Sequence, residues 1–431
     1  MPKPLSLIFI FLFFQFFASQ DSKANDSFDW ATFSAQREQA KYISAKVKRL
    51  NNKTSDLRDK PLRVIYFHAK DRKPLRNHIE RWDGILLDIQ EFYRTEMAKL
   101  GYGEVTITLE KENGKLKLHE VKGREVDKSY SYKSGSKIRG EVFEALRSKG
   151  LNPDKETLLI VCGLSKTEDK KVTIYSPYYG MGANHTRGIC FTADMEWLSV
   201  DGLRPDPEKI TLQVKEHRGY EPFTLGRFNT VYIGGTIHEL GHGLSLPHNL
   251  ATKEEAKRGT ALMGAGNYTY RKEWRNQGKG SFLTHSSALR LLVHPLFNGA
   301  SIKTTEAPKL KFQELKVAHF ENQIRIAGKI ESDIPAIAMI AYNDRENKGQ
   351  RGYMVNNNYD ATSWTSVISP DKEFKINISD LRPGNHQIRL VAVHANGAVT
   401  TKRMHYLMND ETFDFTKANK EIINIITGQK P

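Results

Sequence analysis

The stretch from Thr236 to Asn249 reads T-I-H-E-L-G-H-G-L-S-L-P-H-N, and its histidines decide how the rest of the chain is read. His238 and His242 are four residues apart, so a helix presents them from one face, one turn apart. Imidazole nitrogen is a borderline ligand suited to zinc, and two imidazoles from one helix fix an edge of its coordination sphere. Glu239, beside the first of them, can take a proton from a metal-activated water and pass it to a leaving amine. Leu246 and Pro247 end the helix, because proline restricts the residue before it and cannot extend the hydrogen-bond ladder. Continued as helix, the chain would carry His248 away from the metal. A sharp turn after His242 instead swings it back as a third ligand, leaving a fourth position open in the manner of a catalytic zinc site. Glu254 or Glu255 is the competing third ligand, and a helix with surface histidines is the competing reading of the whole motif. With His only 14 of 431 residues, chance supplies such a set in roughly one chain in a thousand. The strand-like run Thr230 to Ile233 (TVYI) precedes the helix, and Gly234-Gly235 permits a tight entry into it.

Upstream, Leu62 to Phe67 (LRVIYF) reads as a buried strand. Apolar residues from Ile79 to Leu100 recur at helical spacing, with Gly101 where a C-terminal cap belongs. Val105, Ile107 and Leu109 alternate as a half-buried strand does. A shorter helix is predicted over Ile138 to Leu146, and Leu158 to Cys162 is a second buried strand. This order predicts a mixed α/β (α+β) domain with a twisted sheet over residues 61–300. The loop-rich stretch 175–220 has no assignable order, and Ser286 to His294 reads as a closing helix. After Pro308 the character changes to short alternating runs at Phe320–Ile330, Ala336–Tyr342, Phe374–Ile378, His386–His394 and Ala398–Met404. They predict an all-β, immunoglobulin-like sandwich over residues 308–408, acting as either a structural prop or a recognition module, with a tail over 409–431.

The first twenty residues, with Lys3 ahead of an apolar run from Leu5 to Phe17, have the layout of a secretory signal peptide, with an uncleaved anchor as the competing reading. The polar, partly helical segment 21–60 follows. An exported chain with no membrane span after leader cleavage is expected, secreted or held in the periplasm or at the cell surface. In an oxidising compartment Cys162 and Cys190 can pair as one disulfide, and two buried free thiols are the equal alternative. Two cysteines are too few for a disulfide-dense scaffold or a cysteine-ligated cluster. The chain holds 65 Lys and Arg against 50 Asp and Glu, a net +15 spread along its length. That balance suits an acidic or glycan-decorated protein as partner, and equally solubility or adhesion; no nucleic-acid motif accompanies it.

The motif His238-Glu239-x-x-His242-x-x-Ser245-x-x-His248 resembles that of the metzincin clan of zinc endopeptidases, and in particular secreted bacterial members with a trailing β-sandwich domain. The resemblance implies one catalytic zinc ion on His238, His242 and His248, with Glu239 as general base. It also implies a methionine-containing turn beneath the site, for which Ala261 to Gly264 (A-L-M-G) is the candidate and Met263 its structural residue. The clan usually has glycine where this chain has Ser245, because the turn demands an unusual backbone conformation. A left-handed serine there costs on the order of 1 kcal/mol, unless the adjacent Gly243 or a slightly different turn absorbs the strain. Some members place a tyrosine two residues after the methionine; this chain has Ala265 there, and Tyr268 and Tyr270 nearby read first as packing or cleft-wall residues and second as candidates for the oxyanion. Asn249 is positioned to orient a loop, whereas His185, His285 and His294 read as ordinary histidines.

The expected reaction is hydrolysis of a peptide bond in an extended protein or glycoprotein substrate, held by backbone pairing along an edge strand. A zinc amidase acting on cell-wall or glycoconjugate material is the first alternative. A non-catalytic binding protein with a structural zinc is the second.

Overall fold

The structure, a computed structural model, describes residues 30–51, 61–216, 219–298, 306–320, 322–345, 347–348, 354–355, 360–409 and 413–415. The predicted leader lies outside them, as does most of the predicted tail.

The first half is built on a five-stranded sheet ordered Leu118–Lys122, Arg63–His68, Thr157–Cys162, Arg187–Ala193 and Tyr179–Asn184. Neighbours among the first four are parallel, and Tyr179–Asn184 closes one edge antiparallel. Arg63–His68 and Thr157–Cys162 are buried at every position, because helices cover both faces, and such strands read as unbroken apolar runs. Val64, Tyr66, Leu159 and Val161 face the long helix His78–Lys99 through Trp82, Ile85 and Ile89. Ile65, Phe67, Leu158 and Ile160 face Ile138 and Val142 of the helix Gly135–Ser148. At the end of the sheet Asp194 is fully buried and accepts hydrogen bonds from Arg81, Trp82 and Tyr66, pinning the long helix to the strand ends.

Two expectations change here, and one open alternative is decided. Val105 to Leu109 is not a strand. It is an extended segment with one bridge, Leu109 to Leu62, because the Gln90 side-chain amide takes the Ile107 carbonyl and the Thr106 hydroxyl takes the Gln90 carbonyl. Thr230 to Ile233 is helix, not strand: the helix runs Leu225–Gly243, opened by Thr224, whose hydroxyl accepts from the Arg227 N–H. Gly234 and Gly235 lie inside it. A Cβ on Gly234 would overlap the Asn267 carbonyl, and one on Gly235 would stand 2.6 Å from the Tyr178 hydroxyl, so the glycines serve close packing instead of helix entry. Cys162 and Cys190 are free buried thiols. Cys190 pairs with Leu159, three residues from Cys162, so the two side chains leave opposite faces of the sheet and no disulfide forms.

The loop-rich stretch holds the hairpin Tyr179–Asn184 and Arg187–Ala193. It also supplies Thr211–Lys215, which joins Ser165–Glu168, Lys171–Ile174 and Glu221–Thr224 in a second sheet of four strands.

After residue 306 the described chain forms a two-stranded antiparallel sheet, Asn347–Lys348 with Met354–Val355, and two larger antiparallel sheets. One contains Leu310–Phe320, Gln323–Ser332 and Glu373–Ile378. The other contains Thr362–Val367, Ala336–Arg345, Gly384–His394, Val399–Met408 and Phe413–Asp414. Ile324, Ile326, Phe374 and Ile376 meet Met339, Ala341, Leu390 and Ala392 between the two sheets. The outer face of the five-stranded member is also covered. Ala338, Ile340, Tyr342, Val391 and Val393 join the same core as the helix His285–Leu292. The N-terminal helix Trp30–Asn51 adds Ala40, Ile43 and Val47 to that core.

Candidate metal and active site

The helix Leu225–Gly243 lies across the hairpin strands Arg187–Ala193 and Tyr179–Asn184. The Thr192 and Thr236 hydroxyls meet at 2.6 Å, and a Cβ on Gly188 would overlap the Gly243 carbonyl. From its last two turns His238 and His242 project together, and the turn that follows brings back His248. One ring nitrogen from each of the three lies within 4.8 Å of the others, the only such triad of His, Cys, Asp and Glu among the described residues. Nε2 of His242 and Nε2 of His248 are 3.1 Å apart. Nδ1 of His238 sits 2.7 Å from the Leu262 carbonyl and Nδ1 of His242 2.9 Å from the Leu246 carbonyl. A carbonyl can only accept, so each Nδ1 carries the proton and each Nε2 presents a lone pair to the shared centre. Burial, reinforced by its neighbouring histidines, pushes His238 well below the ordinary histidine range, and burial lowers His242 as well. Neutral, converging imidazoles with backbone-fixed tautomers are the donor set a zinc ion takes.

The third histidine depends on the turn. Leu246 N–H donates to the Gly241 carbonyl and Ser245 N–H to the His242 carbonyl, the paired bonds of a Schellman ending. Ser245 occupies its left-handed position with φ of 65°. The serine is therefore strained as its place in the motif predicts, by about 1–2 kcal/mol for an L-residue. Local bonds offset this: its hydroxyl donates to the Asn184 carbonyl at 2.9 Å, and Arg290 donates to its own carbonyl at 2.5 Å.

Glu239 is almost fully buried and accepts the Gly180 N–H at 2.8 Å through Oε2. Burial pushes its carboxyl up to about 8, with the Gly180 bond pulling the other way. Gly180 belongs to the edge strand, and a Cβ there would overlap the Glu239 carbonyl oxygen. The strand can approach the helix closely enough to deliver its N–H only because position 180 has no side chain. Sequence reasoning missed Gly180, although the Y-G-M-G spacing at 179–182 carried the signal.

Met263 is 1% exposed and packs beneath the helix that carries His238 and His242, where a Cβ on Gly241 would overlap its sulfur. It lies in a tight turn closed by the Gly264 N–H on the Ala261 carbonyl, and its own carbonyl accepts the Asn249 N–H. The two tyrosines separate. Tyr270 is wholly buried, bonded to Asp88 at 2.7 Å and packed against Phe92, so it belongs to the core and not to the cleft. Tyr268 is 40% exposed and close enough to Glu239 for the carboxylate charge to act on its phenol, which burial chiefly raises. Glu254 and Glu255 are not ligands: Glu255 closes a capping box on Thr252, and Glu254 pairs with Lys257. His285 and His294 are buried histidines pushed down to about 3 by desolvation, and His185 lies in the loop between the hairpin strands.

No family model and no curated protein matches the chain. Solved structures do. Wild-type OgpA from Akkermansia muciniphila is 27% identical with a TM-score of 0.66, over 82% of this chain and 94% of that one. Catalytically inactive OgpA, in complex with an O-glycopeptide (glycodrosocin) substrate, is 26% identical with a TM-score of 0.67, over 84% of this chain and 96% of that one. The mixed α/β architecture with its several sheets is thus similar to that of a substrate-binding enzyme along most of both chains.

Proposed function

We propose that this chain is an exported zinc-dependent endopeptidase of metzincin type that hydrolyses peptide bonds in O-glycosylated protein. The reading rests on one observation: three ring nitrogens converge beside a buried carboxylate that an edge-strand amide holds in place. The glycoprotein part rests on the similarity to OgpA with its bound O-glycopeptide. Nε2 of His238, His242 and His248 would hold the ion. When bound, zinc polarises the scissile carbonyl and makes water a competent nucleophile near neutral pH. Glu239 is the general base that takes the water proton and returns it to the leaving amine. A carboxyl lifted toward neutrality by burial is suited to that two-way role. The Gly180 N–H leaves Glu239 one fixed orientation. The open side of Tyr179–Asn184 offers backbone groups for an extended substrate strand. The C-terminal sheets, read here as an immunoglobulin-like sandwich, support this site. Among the described residues no helix is long and apolar enough to cross a membrane.

The test is cleavage of one synthetic peptide with and without a GalNAc-bearing threonine, by the wild-type chain and by Glu239→Gln. The expected result is cleavage of the glycopeptide alone, abolished by a chelator and reduced at least ~100-fold by the substitution. Equal cleavage of both peptides would remove the glycan requirement. Cleavage of neither, with release of small products from peptidoglycan instead, would favour the amidase.

A further inference from the structure

We propose that the C-terminal five-stranded sheet is part of the metal site, acting through Asn249 as the positioning residue for His248; this rests on the three-histidine reading above. Asn249 follows His248 directly and is 0% exposed. Its main-chain N–H donates to the Met263 carbonyl at 3.0 Å, fastening the loop to the methionine turn. Its carboxamide is surrounded by two other parts of the molecule. The oxygen accepts from the hydroxyls of Thr284 at 2.6 Å and Ser286 at 2.8 Å, at the start of the helix His285–Leu292. The nitrogen faces the Ser363 hydroxyl oxygen at 3.2 Å and the carbonyls of Leu250 at 3.1 Å and Ala361 at 3.3 Å.

Ser363 and Ala361 belong to the C-terminal region, more than a hundred residues after the histidine they help to fix. The Ser363 hydroxyl also donates to Ser286 at 2.7 Å, and the Leu250 N–H donates to the Ala361 carbonyl at 2.7 Å. Ser363 is held in turn by its register opposite Tyr342, on the strand Ala336–Arg345 that is buried along both faces. His238 and His242 need no such help, since a helix sets their spacing. His248 sits beyond a strained turn, on irregular chain that has no ladder of its own. The clamp supplies what the helix gives the other two, and a free sandwich domain would have no reason to place two polar groups on this loop.

The experiment measures Zn2+ affinity by chelator competition, and the Co2+ absorption spectrum, on the full chain well below its unfolding temperature. The variants are Ser363→Ala, Asn249→Ala, His248→Ala and Ile340→Val. Ile340→Val loosens the same sheet without touching the hydroxyls. Ser363→Ala and Asn249→Ala are expected to lower affinity roughly 10–100-fold, the range for groups that orient metal ligands, and to alter the Co2+ bands. His248→Ala should lose more, and Ile340→Val should match wild type. Should Asn249→Ala fail to fold, Ser363→Ala alone decides. Wild-type affinity in Ser363→Ala with loss in His248→Ala would overturn the clamp and leave the metal site standing. An equal loss in Ile340→Val would also overturn it, as general destabilisation. Wild-type affinity in His248→Ala would remove the three-histidine site itself, and the clamp with it.

Discussion

The molecule contains two five-stranded sheets that are alike at their centres and different at their edges. Arg63–His68 and Thr157–Cys162 in the first, and Ala336–Asp344 in the second, are buried on both faces. Each is a run of apolar residues with layers above and below it. At the edges the sheets do different work. Tyr179–Asn184 ends the first sheet as a half-open, glycine-bearing strand whose N–H at Gly180 orients Glu239. Thr362–Val367 ends the second, and the residues at its start brace the loop of His248. The centres set the fold, whereas the site is assembled where a strand has backbone or hydroxyl groups to spare. Spare backbone groups of this kind are found at the edge of a sheet.

The largest effect is expected at the first edge. Gly180→Val puts a branched side chain into the Glu239 carbonyl, so the strand must move off the helix and its N–H leaves the carboxylate. Activity should fall by at least ~100-fold, as for a misplaced general base, with a stability cost of about 1–3 kcal/mol from overpacking. Met181→Ala is the control, because that side chain is 50% exposed and its loss should change thermal unfolding little. Wild-type turnover in Gly180→Val would remove the edge strand from the chemistry and leave it a role in folding alone.

The next effect is a test of how separate the second sheet is. Ile340 is 0% exposed on the face turned toward the helix His285–Leu292. Ile340→Ala should cost about 2–5 kcal/mol. Because the core is shared, the loss should appear in one cooperative transition that also carries the metal site. Two resolved transitions, with the first half unshifted, would make the second sheet an independent domain and erase the parallel with the first.

Legibility in the sequence follows the same division. Strands buried on both faces were readable as apolar runs, and the helix His78–Lys99 as a 3.6-residue pattern ending at Gly101, which does adopt a positive φ of 93°. His238, Glu239 and His242 were readable because one helix turn sets their spacing, and His248 because Pro247 forbids the helix to continue. Three things were not. Thr230 to Ile233 read as strand because β-branched residues and two glycines oppose helix locally. Close packing on Tyr178 and Asn267 rewards the glycines only once the tertiary structure exists. The edge strand Tyr179–Asn184 read as loop, since glycines chosen to admit a helix carry no alternation. The hydroxyl partners of Asn249 lie 35 to 114 residues downstream, and nothing in local periodicity announces hydroxyls that meet only after two sheets and a helix have packed.

The smallest effect concerns the residue that joins the first edge strand to the helix His285–Leu292. Ser245 accepts Arg290 on its carbonyl and bonds the end of the first edge strand through its hydroxyl, while its φ of 65° opposes it. Two substitutions separate these contributions. Ser245→Ala keeps the left-handed strain and loses the bond to Asn184, so it should destabilise by about 1 kcal/mol. Ser245→Gly loses the same bond and releases strain of about 1 kcal/mol, so it should leave the unfolding temperature near that of wild type. A glycine variant as unstable as the alanine variant would mean that the hydroxyl, and not the backbone conformation, governs the turn. A glycine variant more stable than wild type would mean that the strain at Ser245 outweighs its bond to the edge strand. In that case serine is retained for the contact with Tyr179–Asn184, which ties the metal turn to the strand that orients Glu239.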